Sequence, residues 1–328
     1  MYKRQFFNHD IIELLKRHGV ATHTEENGRV LPDSERSKDV LNAFVNWTCN
    51  NHVSFRFDAR VEELIIENSK VIGVKINQDE KKEELLSTCV CICTGGKTYP
   101  STGSTGDGYK FAQAVGHTII PLKPALIPLL TTNVIAPKLQ GLVLPNIKLS
   151  CWVNGKKQLE KIGDLLFTHF GLSGPVAINI SRFVVEYLQQ NNRVELKVDL
   201  YSSIDEQTLD QQLINGLNEH GKMLLKNYLS AWMPSRLIIV AGEFLQLDIE
   251  KPCYQVNAKE RKKLGLFMKA IPFEVTGSRP FKEAMITSGG ISTSEIDSKT
   301  MESKLIQNLF FAGEVIDLDA DTGGYTCK

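Results

Sequence analysis

Apolar residues recur at helical spacing along the first fifty positions and then change to strand spacing. The segment from Asp10 to His18 predicts a short helix that Gly19 ends, and the apolar stripe at 40–45 predicts a second helix after Ser37. Three alternating runs predict strands at 53–57, 61–67 and 70–77, the last two joined by a tight turn at 68–69.

The next segment, "LLSTCVCICTGG" (85–96), is apolar on both faces. This pattern is typical of a buried central strand in a parallel sheet. A Gly-rich turn follows, and then a predicted helix from Gly106 to Val115. A buried strand followed by a Gly-rich turn and a helix indicates an α/β fold.

The α/β pattern is interrupted. Residues 128–200 are strand-like, with a hairpin predicted at Asn154-Gly155, and residues 203–270 are helical, with capping pairs at Ser203/Glu206 and Asn257/Glu260. Strand patterns return in the tail. We therefore expect an α/β domain in two segments, 1–127 and 273–328, separated by a β-rich insertion at 128–202 and a helical insertion at 203–272.

Composition narrows the class of protein. Among 328 residues, 38 Lys and Arg balance 38 Asp and Glu, which disfavours nucleic acid as the main partner. No apolar run reaches the length of a membrane span, no secretion leader opens the chain, and seven cysteines give no disulfide framework. We expect a cytoplasmic protein that acts on a small-molecule substrate, without a nucleic-acid or membrane partner.

Cys89, Cys91 and Cys93 alternate, so their side chains point to one face of the strand. Zinc sites carry cysteines on turns, at C-x₂₋₄-C spacing. We therefore expect core packing and no metal site. The chain also has no C-x-x-C, which disfavours dithiol redox chemistry.

Gly95-Gly96 follows the buried strand, where α/β proteins bind ligands and where glycine lets backbone approach a ligand closely. The run "GSTGDGYK" (103–110) is neither a Walker loop nor G-x-G-x-x-G, but its backbone N–H groups at a helix N-terminus suit an anion. A tight strand–helix turn without a ligand is the alternative.

Ser173 lies close to His169 in the sequence, which would suit a hydrolase. The segment around Ser173 does not match the G-x-S-x-G motif, however, so hydrolase chemistry is disfavoured. His117 and His169 are acid/base candidates or simple hydrogen-bonded residues. His169 is the one catalytic candidate that we retain.

The tail segment "LFFAGEVIDLDADTGGY" (309–325) joins an apolar strand to Gly313-Glu314, Asp317 and Gly323-Gly324. A carboxylate just past a strand end can accept hydrogen bonds from a ribose or ribitol hydroxyl. A helix starting at the glycine pair would suit an anionic group. The alternative is an acidic surface loop.

Six segments taken together resemble the bacterial YhiN/BaiN-type flavoproteins, NAD(P)/FAD-dependent oxidoreductases close to aminoacetone-oxidase-like enzymes. They are "GRVLP" (28–32), "TGGKTYPSTGSTGDGYKFAQAVGH" (94–117), "PALIPL" (124–129), "FTHFGLSGP" (167–175), "ITSGGIS" (286–292) and "TMESKLIQNLFFAGEVIDLDADTGGY" (300–325). The resemblance implies a glutathione-reductase-like FAD-binding domain interrupted by a β-barrel-like domain and a small helical domain.

The resemblance also implies FAD contacts. Val61 would begin a strand that meets the adenine, and Asp317 would hold the ribityl or pyrophosphate region. The other implied contacts are Thr94, Gly95, Gly96, Gly313, Glu314, Gly323, Gly324 and Tyr325. Residues 101–106 and 287–290 would lie near the flavin.

The sequence departs from the family at both ends. The family opens with a strand, a G-x-G-x-x-G-type loop and a helix that grip the pyrophosphate, and this sequence contains no such fingerprint. Thr326 also replaces the Asn that usually follows the Tyr. We therefore expect a fragment truncated at both ends, which does not retain stoichiometric FAD.

The resemblance implies an FAD-dependent oxidoreductase in which hydride passes through the flavin and the protein supplies binding and orientation. Whether NAD(P)H is the electron donor stays open. The alternative is a flavin- or nucleotide-binding module without turnover, acting as a sensor or partner protein. A nucleic-acid-modifying flavoprotein is a third hypothesis, disfavoured by the charge balance.

Overall fold

The computed structural model describes residues 6–25, 28–132 and 134–318, which form two compact units. The first unit comprises Met1–Ile65 and Gly73–Ser87, and the second comprises Ile66–Ile72 and Thr88–Lys328. The helices are α1 (Asn8–Arg17), α2 (Ser37–Asn50), α3 (Asp107–Ala114), α4 (Ile135–Lys138), α5 (Pro175–Gln189), α6 (Glu206–Glu219), α7 (Leu225–Leu229), α8 (Ser235–Leu245) and α9 (Ala258–Lys269). The strands are β1 (Thr22–Thr24), β2 (Val30–Pro32), β3 (Ala59–Glu67), β4 (Lys70–Gln78), β5 (Lys81–Leu86), β6 (Val90–Ile92), β7 (Ile119–Ala125), β8 (Leu129–Thr131), β9 (Val143–Val153), β10 (Lys156–Thr168), β11 (Gly171–Ser173), β12 (Val194–Asp199), β13 (Ile271–Ser278), β14 (Ile286–Ile291) and β15 (Leu309–Phe311).

The first unit packs α1 against α2 through a small core of Leu15, Val20 and Ala43. It also holds the antiparallel pair β1–β2 and most of the sheet β3-β4-β5. The predicted strand at 53–57 is wrong. That segment forms no regular strand and leaves Phe55 and Phe57 exposed and stacked on each other, because no ladder pairs with it.

In the second unit, six strands close a barrel in the order β10-β11-β8-β13-β12-β9. The predicted hairpin at Asn154-Gly155 joins β9 to β10, and both turn residues have positive φ, 49° and 80°, as a type I′ turn requires. The barrel interior, including Leu149, Leu196 and Phe273, belongs to one hydrophobic cluster that continues into helices α6 to α9.

The two predicted helix caps have different outcomes. Asn257 and Glu260 form the predicted capping box at the start of α9. The predicted pair Ser203/Glu206 is wrong, because Asp205 is the N-cap of α6 and accepts the Thr208 N–H at 2.7 Å. An aspartate nearer the helix takes the orphan backbone donor that the serine was expected to satisfy.

The remaining strands form two pairs, β6 with β15 in parallel and β7 with β14 in antiparallel orientation. The predicted α/β class with a barrel and a helical part is confirmed. The predicted burial of β6 on both faces is wrong. Ile92 is buried, whereas Cys91 and Cys93 are exposed with their sulfurs 3.4 Å apart, since alternate residues point to opposite faces of a strand.

Candidate cofactor site

Two Gly-containing turns meet at one edge of the parallel pair β6–β15. The strands pair in register, Phe311 beside Ile92, and the Ala312 N–H donates to the Ile92 carbonyl at 3.1 Å. The turns that follow, Thr94–Gly96 and Gly313–Glu314, therefore leave the same edge of the sheet. Open α/β sheets bind their ligands beyond this carboxyl edge.

Gly96 occupies a position that has no room for a side chain. A Cβ there would lie 2.8 Å from Thr287 Cβ and would collide with Glu314 Oε1. The next residue, Lys97, donates its backbone N–H to Thr287 Oγ1 at 2.7 Å. Gly95 has φ +70°, in the left-handed region that favours glycine. The turn thus depends on both glycines and packs directly on β14.

Glu314 fastens this turn. Its Oε1 accepts the Thr287 backbone N–H at 2.7 Å and the Thr98 hydroxyl at 3.3 Å. Thr98 and Thr287 are both buried, so the carboxylate satisfies polar groups that would otherwise lack water. The side chain of Glu314 is therefore engaged within the protein, and a direct contact between Glu314 and FAD stays a prediction.

Tyr109 supports the same network from α3. Its hydroxyl donates to the Glu314 carbonyl oxygen at 3.4 Å. Burial raises the pKa of Tyr109, and the negative charge of Glu314 raises it further. The phenol thus keeps its proton at neutral pH and remains a donor.

Helix α3 packs closely on the end of β6 because residue 108 is a glycine. A Cβ on Gly108 would collide with Thr94 Oγ1 and would lie 3.0 Å from both Ile92 Cγ2 and Val315 Cγ2. As predicted, a helix follows the Gly-rich turn, and α3 begins at Asp107, one residue after the predicted start at Gly106. Its N-cap is Gly106 with φ +83°, and no side chain caps it. A close helix–strand approach through glycine is typical of dinucleotide-binding turns.

Gly313 has φ +80°, and among the described residues nothing lies within 4 Å of where its Cβ would be. The Asp317 N–H donates to the Ile291 carbonyl at 2.9 Å, which places this residue beside β14. The predicted contacts Gly323, Gly324 and Tyr325 lie outside the described residues. Val61 lies half-buried on β3 in the first unit and stays a prediction.

His169 is exposed in the turn between β10 and β11. Thr168 shapes this turn, because its hydroxyl bonds both the carbonyl and the N–H of Gly171, at 3.0 and 3.1 Å. The imidazole of His169 lies edge-on to the Phe170 ring with 4.9 Å between centroids. Solvent therefore reaches the imidazole of His169.

His117 is a hydrogen-bonded residue, one of the two alternatives left open for it, but its partners in a buried chain near β15 were missed by sequence reasoning. His117 places Nδ1 3.1 Å from Glu295 Oε2 and Nε2 2.8 Å from Ser303 Oγ. Ser303 Oγ also accepts the N–H groups of Leu305 and Ile306, so its own hydrogen is directed to the imidazole. Burial lowers the pKa of His117, while Glu295 opposes that shift. This chain fixes a neutral imidazole and ties the loop before β15 in place.

Within residues 6–25, 28–132 and 134–318, no group of three or more His, Cys, Asp or Glu side chains is arranged to hold a metal ion. None of the helices in this part of the chain combines the length and the apolar character needed to cross a membrane.

An α/β fold with a Gly-lined carboxyl edge is typical of nucleotide-cofactor-binding proteins. The sequence profile of the HI0933-like protein Rossmann domain matches residues 2–328. The chain therefore belongs to the HI0933-like family of flavoprotein oxidoreductases, which confirms the resemblance to the YhiN/BaiN-type proteins.

Two curated relatives match along nearly the whole chain. The ribosomal RNA dihydrouridine synthase of Escherichia coli strain K12 is 27% identical over 330 residues, which are 98% of this chain and 76% of that protein. The 3-dehydro-bile acid delta(4,6)-reductase of Clostridium scindens is 24% identical over 325 residues, 99% of this chain and 78% of that protein.

Among solved structures, the FrdA chain of Escherichia coli quinol fumarate reductase is similar with a TM-score of 0.40 and 15% identity. The match covers 94% of this chain and 50% of FrdA, so the chain spans about half the length of that structure.

The site residues fit a dinucleotide such as FAD. Gly96 leaves no side chain between the turn and β14. Among the described residues nothing occupies the space where a Cβ of Gly313 would lie, so the backbone there can approach a ligand closely.

Proposed function

We propose that this protein is an FAD-dependent reductase that adds hydrogen across a carbon–carbon double bond conjugated to a carbonyl group. The observation that carries the cofactor part of the proposal is the convergence of the turns Thr94–Gly96 and Gly313–Glu314 at the carboxyl edge of β6 and β15. The family membership supports the flavin.

FAD, when bound, supplies the hydride chemistry. The chain's own part is to bind and orient the cofactor. The backbone of Gly95, Gly96 and Gly313 would contact it, and the carboxylate of Asp317 would accept a hydroxyl hydrogen bond. Glu314 would hold the Thr94–Gly96 turn in position while its carboxylate keeps its hydrogen bonds to Thr287 and Thr98.

Hydrogenation of a conjugated double bond consumes one hydride and one proton. His169 is our proposed proton donor, from a ring nitrogen, because its imidazole is exposed and is oriented by Phe170. The proton would go to the carbon next to the carbonyl.

The names of the two relatives support the double bond as the site of reduction. One names the synthesis of dihydrouridine in ribosomal RNA, and the other names a delta(4,6)-reductase of a bile acid. Uracil and a 3-oxo-4,6-diene both present a double bond conjugated to a carbonyl. A small-molecule substrate is our first candidate. An RNA uridine is the second, supported by the name of the relative that is 27% identical to this chain.

The experiment is anaerobic stopped-flow spectroscopy of the chain with added FAD, mixed with NADH or NADPH. Rapid loss of oxidised-flavin absorbance supports the reductase and identifies the donor. Bound flavin that neither donor reduces, and that no candidate substrate reoxidises after chemical reduction, would support a binding module without turnover and would contradict the proposal. In a second mixing step, a 3-oxo-4,6-diene steroid or a uridine-containing RNA should reoxidise the flavin if it is the substrate.

A further inference from the structure

Two cation–aromatic pairs of the second unit are linked through the chain segment 279–281, and we call them, with His169, the cation–aromatic strip: Lys97, His169, Phe170, Arg279 and Phe281. Lys97 Nζ lies 5.6 Å from the centroid of the Phe281 ring, and Arg279 Cζ lies 4.7 Å from the centroid of the Phe170 ring. The imidazole of His169 lies edge-on to the same Phe170 ring, with 4.9 Å between ring centroids. The strip thus runs from the residue after Gly96 to the proposed proton donor.

Two residues of the strip, Lys97 and Arg279, are held by hydrogen bonds. Lys97 is held through its backbone N–H by Thr287 Oγ1 at 2.7 Å. Arg279 donates its backbone N–H to the Pro128 carbonyl at 3.1 Å, and its guanidinium binds both oxygens of Glu283 at 2.7 Å. A bidentate pair of this kind orients the guanidinium plane. The strip is therefore a preorganised surface.

The strip remains accessible. Lys97 and His169 are exposed, and Phe170, Arg279 and Phe281 are half-buried. Within the described part of the chain, Lys97 forms no ion pair. Lys97 and Arg279 together with neighbouring Lys282 outnumber Glu283, so the local charge is positive although the whole chain is neutral.

We infer that the cation–aromatic strip is the subsite for the substrate's reacting ring, a planar conjugated ring that carries a carbonyl group. This inference rests on the proposed function. An aromatic face and a guanidinium plane both stack on planar rings, and stacking on aromatic side chains is tolerant of the ring's identity.

The positive charge has a chemical role in the same step. When hydride adds to the carbon distant from the carbonyl, the electron pair of the double bond moves toward the carbonyl oxygen. A cation beside that oxygen stabilises the developing negative charge. The proton from His169 then adds to the carbon next to the carbonyl. The substrate thus gains two hydrogens, and the hydride donor is oxidised.

A free ring and a base in RNA share this chemistry, and binding measurements distinguish them. The probes are a fluorescein-labelled ten-nucleotide oligouridine, uridine monophosphate and a 3-oxo-4,6-diene steroid, each titrated into the full chain with added FAD. We expect saturable binding of at least one probe. Binding of the oligouridine alone, weakened by salt, identifies RNA as the source of the ring. Binding of a small probe identifies a free ring.

The Phe281→Ala variant should weaken binding of that probe by about 5-fold to 150-fold, the usual effect of losing one stacking ring. Phe281→Tyr keeps the ring and should retain affinity. Lys97→Ala should also weaken binding. The matched control is Lys197→Ala, since Lys197 lies 4.1 Å from the ring centroid of Trp152 on the barrel, in the same kind of pair.

Two results would overturn the inference: no probe binds, or Lys97→Ala and Phe281→Ala bind as well as the unchanged chain. If Phe281→Ala does not fold, Lys97→Ala and Phe281→Tyr still decide the question. A separate FAD titration tests the proposed function. If FAD is reduced normally but the Phe281→Ala variant binds the probe as well as the unchanged chain does, the subsite inference is wrong and the proposed function still stands.

Discussion

The packing at Gly108 gives a prediction with a magnitude. An alanine Cβ there would collide with Thr94 Oγ1 and lie 3.0 Å from methyl carbons of Ile92 and Val315. Overpacking of this kind costs about 1–3 kcal/mol of the free energy of unfolding. Alanine's better helix propensity would offset at most about 1 kcal/mol of that cost.

Gly265→Ala is the matched control, because Gly265 is also a helical glycine but its Cβ would meet only Leu213 Cδ1 at an ordinary 3.7 Å. The Gly265→Ala variant should gain the helix propensity of alanine without a steric collision of its Cβ. The two variants should therefore differ by about 1–3 kcal/mol, which is about 2–12 °C in Tm for a unit of this size. Calorimetry of the two variants measures the difference. Equal Tm values would refute the close packing of α3 on β6.

Three further predictions concern hydrogen bonds, pH and catalysis. Glu314→Ala leaves the Thr287 N–H and the Thr98 hydroxyl without their acceptor, so it should lower the free energy of unfolding by about 1–3 kcal/mol, measured by chemical denaturation. Glu314→Gln keeps an acceptor oxygen and should lower it less. Equal losses in the two variants would contradict the hydrogen-bond network. Because burial lowers the pKa of His117 in the folded chain, its contribution to stability is complete above the unfolded value near 6.5 and falls as pH drops below it, by at most about 1.4 kcal/mol per pH unit. His117→Asn should remove this component from Tm measured against pH, and an unchanged pH profile would contradict it. His169→Gln should slow substrate reduction about 10²-fold to 10⁴-fold while leaving flavin reduction by the donor unchanged, and stopped-flow data with both steps slowed alike would contradict its role as proton donor.

Local patterns carried much of the fold. The turns at 68–69 and Asn154-Gly155 were predictable because positive φ at both central residues demands particular residue types. The segment 53–57 alternates like a strand but has no partner, and pairing depends on distant chain that a local pattern does not contain. The exposure of Cys91 and Cys93 was not predictable for the same reason, since burial of a strand face depends on which distant part of the chain covers it.

The candidate site likewise has some features that the local sequence predicts and others that depend on residues far away in the chain. Thr94–Gly96 and Gly313 were found because glycine after a strand has a specific backbone purpose. The direction of the Glu314 side chain was not predictable, because its partner Thr287 lies 27 residues away. The chain linking His117 to Ser303 spans 186 residues and leaves no spacing motif in the sequence.

The central claim is that the Thr94–Gly96 turn is part of an FAD site, and equilibrium titration of the chain with added FAD tests it most directly. The account predicts saturable binding at one site when FAD is supplied in excess, although the purified chain is not expected to retain stoichiometric FAD. It also predicts that Gly96→Ala weakens binding about tenfold or more, since its Cβ would displace Thr287 and Glu314 from the turn, whereas Gly265→Ala binds as the unchanged chain does. Absence of saturable binding, or equal affinity of the Gly96→Ala variant, would contradict it.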